Sequence, residues 1–164
     1  MKILWSLMLL FTLVNCKSDS EKKKQNEDFS IETYNFSELE SFLHKKDDKL
    51  YVVNFWATWC KPCVEELPYL LKLSEEKNIE LILVSLDLPN MKESQLKPFL
   101  QKHNIKEKVI LLDDPNSNAW IPKVDKNWQG AIPATKIYKN DNSKFIARPF
   151  RNYEELLDEV EQMM

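Results

Sequence analysis

Glycine is almost absent from this chain: Gly130 is the only one among its 164 residues. Glycine normally supplies the left-handed backbone that tight turns require. The turns of this protein must therefore rely on Asn and Asp, which tolerate that conformation better than other residues do. Basic residues are not in excess either, because the formal net charge is −3. We therefore expect no nucleic-acid partner.

Histidine is scarce as well. The two histidines, His44 and His103, each stand alone in the sequence, and neither completes a set of metal ligands with the cysteines. We expect both on the surface, and we predict no metal and no other cofactor. The chain has three cysteines. Because this number is odd, one of them should have a different fate from the other two.

An apolar run at the N-terminus predicts export. Lys2 gives a positive start, and residues 3–14 are almost wholly apolar. A run of this length is short for a membrane-spanning helix and typical of a secretory signal. We assign residues 1–15 to a lipoprotein-type signal peptide, and the alternative is a short membrane anchor that is retained.

The end of this run accounts for the odd cysteine. Leu13-Val14-Asn15-Cys16 resembles a bacterial lipoprotein cleavage box, although Asn15 stands where such boxes usually have a small residue. The resemblance implies that Cys16 becomes the lipidated first residue of the mature protein, anchored to the membrane by its acyl chains. Residues 17–28 have no apolar side chain, so we interpret residues 16–28 as the lipidated cysteine and a disordered tether. The expected location is the periplasmic or outer face of a bacterial membrane.

The pattern of residues 29–164 predicts a single α/β domain. Residues 50–56 and 79–86 are apolar runs typical of strands that are buried on both faces, and residues 64–77 have the apolar spacing of a helix. Shorter strands are predicted at 109–112, 133–138 and 144–147, and further helical segments at 37–46, 93–103, 116–123 and 153–164. A capping box of Ser37 and Glu40 would open the first of these helices. Strands that alternate with helices indicate a layered sheet, and a final hairpin makes it mixed.

Two cysteines separated by two residues lie at the predicted junction between strand 50–56 and helix 64–77. In Trp59-Cys60-Lys61-Pro62-Cys63 the pair can close to a disulfide, and the free N–H groups and dipole of the helix stabilise a thiolate at Cys60. We predict Cys60 as the attacking nucleophile and Cys63, one turn further in, as the resolving thiol. An inert disulfide is the alternative, but closing so short a loop stabilises a fold only slightly.

The residues around the cysteines make the motif specific. Trp59-Cys60-Lys61-Pro62-Cys63-Val64-Glu65-Glu66-Leu67-Pro68 meets every fixed position of W-C-x-P-C-x-x-E-x-P. It resembles the active site of the TlpA/ResA-type oxidoreductases of the thioredoxin superfamily. The resemblance implies an α/β thioredoxin-like fold, with a central mixed β-sheet flanked by helices. It also implies an exported, membrane-anchored thiol-disulfide oxidoreductase that acts as a protein disulfide reductase. Its substrates would be protein thiols and disulfides, and a membrane thiol protein would be its electron donor.

Glu66 is the predicted acid of this site. It follows Cys63 by three residues, so the two side chains share one face of the predicted helix. A poorly solvated carboxylate there would have a raised pKa and could pass protons to and from the sulfurs. The resemblance likewise gives this position to an active-site acid, whereas Glu65 is interpreted as a solvated residue on the helix surface.

A second segment is selected by the resemblance alone. Thioredoxin-like folds place a cis proline opposite the two cysteines, and Pro133, before a predicted strand, matches that place. A cis bond there would free the adjacent backbone, at Ile132 and Pro133, to pair with an extended substrate. Trp59 would offer an apolar contact surface beside the sulfurs, whereas Trp56 is expected to pack in the core.

Two other functions fit parts of the pattern. Cys60 and Cys63 could hold copper or zinc in a binding module, but a third and a fourth ligand are missing. A thiol peroxidase on the same fold is the other alternative. Peroxiredoxin-like sites resemble P-x-x-x-T-x-x-C, and Trp56-Ala57-Thr58-Trp59-Cys60 lacks that spacing. The Lys-Pro pair between the cysteines favours neither direction of a redox reaction.

Overall fold

A mixed six-stranded β-sheet lies at the centre of the computed structural model, which describes residues 30–164. The strands are β1 (Glu32–Tyr34), β2 (Tyr51–Trp56), β3 (Glu80–Ser85), β4 (Lys108–Leu112), β5 (Ala134–Lys139) and β6 (Asn142–Ile146). Their order across the sheet is β1-β4-β3-β2-β5-β6. The first four strands are parallel, whereas β5 is antiparallel to β2 and β6 is antiparallel to β5. The predicted α/β class with a mixed central sheet is confirmed.

Helices pack on both faces of this sheet. They are α1 (Phe36–Glu40), α2 (Lys61–Glu76), α3 (Lys97–Lys102), α4 (Ser117–Val124) and α5 (Tyr153–Glu161). None of the helices within residues 30–164 combines the length and the apolar character needed to span a bilayer. The predicted signal peptide, Cys16 and the tether lie outside the described residues.

Strand β2 is buried along its whole length, as its apolar run predicts. Because successive side chains of a strand point to opposite faces, β2 contributes to two cores. Val52 and Trp56 join the core formed with α2, α3 and α5. Val53 and Phe55 join the second core, formed with α1 and α4. The strand that leads to the cysteines is thus held by apolar packing on both sides.

Helix α1 differs from its prediction in register and in length. Its N-cap is Asn35, whose side chain accepts from the Glu38 N–H at 3.1 Å while the Glu38 carboxylate accepts from the Asn35 N–H at 2.9 Å. The predicted box of Ser37 and Glu40 is therefore wrong, and the helix ends at Glu40 rather than at residue 46. An N-cap two residues earlier than predicted buries Phe36 together with Leu39, which explains why this register forms.

Two other segments depart from the predictions. Strand β1 was not predicted, because its three residues, Glu-Thr-Tyr, are mostly exposed and carry little apolar pattern. It forms by parallel pairing with β4. The helix predicted at 93–103 is divided into a π-helical turn, Lys92–Leu96, and α3. Pro98 in the first turn of α3 lacks an N–H, so a regular α-helical ladder cannot run through this point.

Asn and Asp adopt the left-handed backbone conformation in place of glycine, as predicted. Asp48, Asn104 and Asn140 are the non-glycine residues with positive φ in the described part of the chain. Gly130 has φ +82°, and a Cβ atom at this position would come within 2.8 Å of the Ile121 Cδ1 atom. The single glycine therefore stands where both backbone conformation and close packing require one.

Candidate active site

The cysteine pair lies at the carboxyl end of β2, where the chain enters α2. Cys60 is the N-cap of this helix, and the Cys63 N–H donates to the Cys60 Sγ atom at 3.4 Å. The two residues form a disulfide, with their Cα atoms 5.3 Å apart. Pro62 lies in the first turn, where its missing N–H has no intrahelical partner to lose. The first sulfur thus lies at the positive end of the helix dipole.

The two sulfurs differ in accessibility. Cys63 is completely buried, whereas Cys60 retains 6% exposure and is preceded by Trp59, which is 62% exposed. Trp56 is completely buried, as expected. Cys60 is therefore the less buried of the two cysteines, and the residue before it exposes a large apolar ring.

The Ile132–Pro133 segment lies beside the disulfide. Its peptide bond is cis, as the resemblance implies, and the Ile132 carbonyl oxygen is 3.8 Å from the Cys60 Sγ atom. The sheet produces this contact, because β5 pairs with β2 so that Ala134 lies opposite Phe55. Pro133 itself is buried and Ile132 is half-buried, and the Ile132 carbonyl is the backbone group beside the sulfur.

Glu66 is buried one turn further along α2. Its side chain is only 1% exposed. One carboxylate oxygen, Oε1, accepts from the Asn54 Nδ2 atom at 2.9 Å, and the other, Oε2, accepts from the Phe150 N–H at 2.9 Å. Burial raises the pKa of Glu66 from its usual 4.5 to about 7, although both hydrogen bonds act in the opposite direction. Glu65, by contrast, is exposed and forms an ion pair with Lys61.

Sequence reasoning missed the partners of Glu66. Asn54 lies on β2 with no exposure, and its Nδ2 atom also donates to the Thr135 Oγ1 atom on β5 at 3.0 Å. The available signal was Asn54 itself, a polar residue within a strand predicted to be buried on both faces. No local signal points to the Phe150 N–H, which comes from the segment between β6 and α5.

A second buried carboxylate, not predicted from the sequence, holds the loop before Cys60. The Asp87 side chain accepts from the backbone N–H and the hydroxyl of Thr58 and from the Ser85 hydroxyl. Gln95, on the π-helical turn, donates to the Thr58 Oγ1 atom at 2.6 Å. These hydrogen bonds fix the loop between β2 and α2, and with it the positions of Trp59 and Cys60.

The two histidines are both exposed, as expected. Within residues 30–164, no three side chains of the types His, Cys, Asp or Glu converge as a set of metal ligands.

The pKa of Glu66 predicts how stability depends on pH. Between about pH 4.5 and 7, Glu66 is ionised in the unfolded chain but still largely protonated in the folded protein. The folded state therefore binds the extra proton, and this residue's contribution makes stability fall as pH rises through that range, by roughly 3 kcal/mol in total. Glu66→Gln should remove this component. Thermal unfolding of the oxidised protein at a series of pH values measures it.

Glu65→Gln is the matched control, because it removes a solvated carboxylate from the same helix. It should leave the pH dependence close to that of the wild type. Glu66→Gln keeps an acceptor for the Phe150 N–H but places an NH₂ group against the Asn54 amide, and the cost of that change is an offset that is equal at every pH. If the difference between wild type and Glu66→Gln is constant from about pH 4 to about pH 8, Glu66 does not have the raised pKa.

Comparison with known proteins finds relatives whose names agree with one another. The thioredoxin-like protein YneN of Bacillus subtilis is 34% identical over 101 residues, covering 60% of this chain and 58% of that protein. The thiol-disulfide oxidoreductase ResA of Oceanobacillus iheyensis is 35% identical over 81 residues, covering 48% of this chain and 38% of that protein. The matched part of the chain thus spans less than two thirds of the length of either relative.

A solved structure supports the fold. A secreted disulfide oxidoreductase from Mycobacterium tuberculosis superposes with a TM-score of 0.55 and covers 75% of this chain and 86% of that one, at 23% identity. At this identity the likeness establishes the thioredoxin-like fold and nothing more. The family model for the AhpC/TSA family matches residues 21–142. This match covers well over half of the chain, and the protein therefore belongs to the AhpC/TSA family.

Proposed function

We propose that this protein is a thiol-disulfide oxidoreductase that reduces disulfides in exported proteins. The observation that carries the proposal is the disulfide between Cys60 and Cys63 at the N-terminus of α2, with Cys60 6% exposed and Cys63 completely buried. This asymmetry suits a nucleophile followed by a resolving thiol. The names of the relatives, which include a thiol-disulfide oxidoreductase, favour the same activity.

The reaction transfers two electrons and two protons to the substrate disulfide. In the reduced protein the Cys60 thiolate attacks one substrate sulfur, so the substrate S–S bond breaks and a mixed disulfide forms. The departing substrate thiolate takes up a proton. Cys63 then loses its proton, attacks the Cys60 Sγ atom and releases the second substrate sulfur, which is protonated in turn. The products are a substrate dithiol and the Cys60–Cys63 disulfide.

The geometry assists both steps. The N-terminus of α2 stabilises the negative charge of the Cys60 thiolate, because the Cys63 N–H points at its sulfur. Glu66 lies three residues after Cys63 on the same helix and takes up the proton that Cys63 releases. A carboxyl group with a pKa of about 7 is suited to this task, because it both accepts and returns a proton near neutral pH.

The substrate binds across Trp59 and the Ile132–Pro133 backbone. Trp59 offers an apolar surface before the first sulfur, and the Ile132 carbonyl lies beside that sulfur. An extended segment of the substrate can pair with this carbonyl while its disulfide faces Cys60. Binding through the backbone places few demands on the substrate's sequence, which suits an enzyme for many exported proteins.

The protein works outside the cytosol and is returned to its dithiol form by a membrane thiol protein. Disulfides persist outside the cytosol, so a reductase there needs a dedicated supply of electrons. Cys16 carries the lipid anchor, and residues 17–28 form the tether. The apolar run before Cys16 and the wholly polar composition of residues 17–28 support this arrangement.

Trapping of mixed disulfides tests the proposed activity. Cys63→Ser removes the resolving sulfur and leaves Cys60 at the helix N-terminus, so covalent complexes with substrates should accumulate in cells. They should dissociate on addition of dithiothreitol, and mass spectrometry of the trapped proteins identifies the substrates. Whether the Cys60–Cys63 pair of the wild type is mainly dithiol or mainly disulfide in the cell gives the direction of the reaction.

Cys60→Ser is the matched control for this experiment. It retains one thiol of the pair, but that thiol is completely buried and should trap few proteins. Equal trapping by the two variants would contradict the assigned roles. No trapping by either variant, combined with no insulin reduction by the purified wild type, would exclude the oxidoreductase and favour a metal-binding module.

Lipid anchoring is tested by Cys16→Ser. In a bacterial host the wild type should be cleaved before Cys16, gain the mass of its acyl chains and partition with membranes. Cys16→Ser should remain an uncleaved precursor without that added mass, because it lacks the acceptor thiol. Mass spectrometry of the intact protein measures both changes. An unchanged mass and unchanged processing in the variant would show that Cys16 is not the modified residue.

A further inference from the structure

The Asn54 amide has an unusual set of partners. It lies fully buried on β2, and its Nδ2 atom donates both hydrogens, one to the Glu66 Oε1 atom at 2.9 Å and one to the Thr135 Oγ1 atom at 3.0 Å. Its Oδ1 atom is buried without any hydrogen-bond partner in the structure. A buried acceptor without a partner is costly, so this arrangement calls for an explanation.

The explanation lies in where Glu66 can hold a proton. The Oε2 atom faces the Phe150 N–H, which can donate but cannot accept. A proton on Glu66 therefore resides on Oε1, where it faces the Asn54 Nδ2 atom. In that state two donors would point at each other, and the Asn54 orientation that suits the carboxylate would oppose the carboxylic acid.

We propose that Asn54 is the positioning residue for Glu66, and that its amide group turns by half a revolution when Glu66 gains or loses its proton. With Glu66 ionised, Nδ2 donates to Glu66 and to Thr135. With Glu66 protonated, Oδ1 takes the place of Nδ2 and accepts from the Glu66 acid and from the Thr135 hydroxyl. Two hydrogen bonds are made in each state, and the atom without a partner changes from Oδ1 to Nδ2.

An amide is the side chain that permits this exchange, because it carries a donor and an acceptor at equal distances from the same carbon. An aspartate at position 54 could not donate to an ionised Glu66, and a leucine could bind neither form. The inference rests on the proposed function to the extent that Glu66 exchanges a proton with Cys63 in each cycle. The amide then turns once when the proton arrives and once when it leaves.

The charged side chains near Asn54, Glu66 and Thr135 have other partners. Arg148 and Arg151, on either side of Phe150, both pair with Glu155. Lys136 follows Thr135 but donates to the Val124 carbonyl, on the opposite face of the sheet. Cys63, one turn before Glu66 on α2, is in the disulfide and does not titrate in the oxidised protein. Asn54 and the Phe150 N–H are therefore the groups that respond to the Glu66 proton.

The test is an NMR titration of the oxidised wild-type protein without substrate. The Glu66 carboxyl carbon reports its proton, and the side-chain NH₂ signals of Asn54 report the amide. Both hydrogens of this NH₂ group are hydrogen-bonded when Glu66 is ionised and unbonded when it is protonated. We expect the Asn54 signals to move upfield as pH falls, with the same midpoint as the Glu66 carbon. Asn54 signals that stay constant through the Glu66 midpoint would overturn the inference.

Two substitutions separate positioning from packing. Asn54→Leu keeps the approximate volume but removes the bond to both forms of Glu66. Because the bond to the ionised carboxylate is the stronger one, the Glu66 midpoint should rise by about one pH unit, a tenfold change in proton affinity. Thr135→Val is the matched control, because it removes the other partner of the amide and leaves the bond to Glu66. Its midpoint should move much less. An equal midpoint in wild type and Asn54→Leu would overturn the inference, and the wild-type titration decides it if a variant fails to fold.

The titration is independent of disulfide exchange. A fixed Asn54 amide in a protein that reduces insulin would overturn this inference alone. An amide that turns in a protein that reduces no disulfide would support the inference and contradict the proposed function.

Discussion

The Glu66 carboxylate is almost fully removed from water, and the two hydrogen bonds that hold it come from distant parts of the chain. Asn54 approaches from the central strand, and the Phe150 N–H approaches from the segment before α5. Transfer of a carboxylate from water to a protein interior is costly unless it is hydrogen-bonded or takes up a proton. Here both compensations operate, because the carboxylate has two donors and its pKa is still raised to about 7. The site therefore holds a proton that can be exchanged near neutral pH.

Hydrogen bonds and strand pairing also fix the positions of the groups around Cys60. Asp87 fixes the loop before Cys60, and the pairing of β5 with β2 brings the Ile132 carbonyl to the Cys60 sulfur. The α2 N-terminus then favours negative charge on the sulfur of Cys60, the less buried of the two cysteines. These groups come from different elements, and β2, which is buried on both faces and pairs with both β3 and β5, holds those elements in fixed relative positions.

The parts of this site that lie within one stretch of sequence could be predicted. Cys60, Cys63 and Glu66 are separated by single helical turns, so their spacing alone places them on one helix face. The cis bond before Pro133 required the resemblance to a known family, since spacing gave no reason to choose it among eight prolines. The partnership of Asn54 with Thr135 could not be predicted, because it depends on the register of two strands that are 81 residues apart.

The predictions that failed, for strand β1 and for the start of α1, failed for a similar reason. Strand β1 is defined by its pairing with β4, and its three mostly exposed residues have no apolar pattern from which a strand could be predicted. Asn35 and Ser37 both offer a plausible cap, and burial of Phe36 and Leu39 decides between them. Local signals thus located the cysteine pair and Glu66 on one helix, whereas tertiary packing decided the element boundaries and the hydrogen-bond partners of Glu66.

The central claim is that a buried Glu66 exchanges protons with the cysteine pair during disulfide reduction. The rate of insulin reduction by the purified protein, measured from about pH 5 to about pH 9, tests it most directly. The wild-type profile should change slope near the Glu66 pKa of about 7, and Glu66→Gln should be slower and lack that change. Glu65→Gln should match the wild type. Identical rates and profiles for all three proteins, each above the Cys60→Ser background, would contradict the claim.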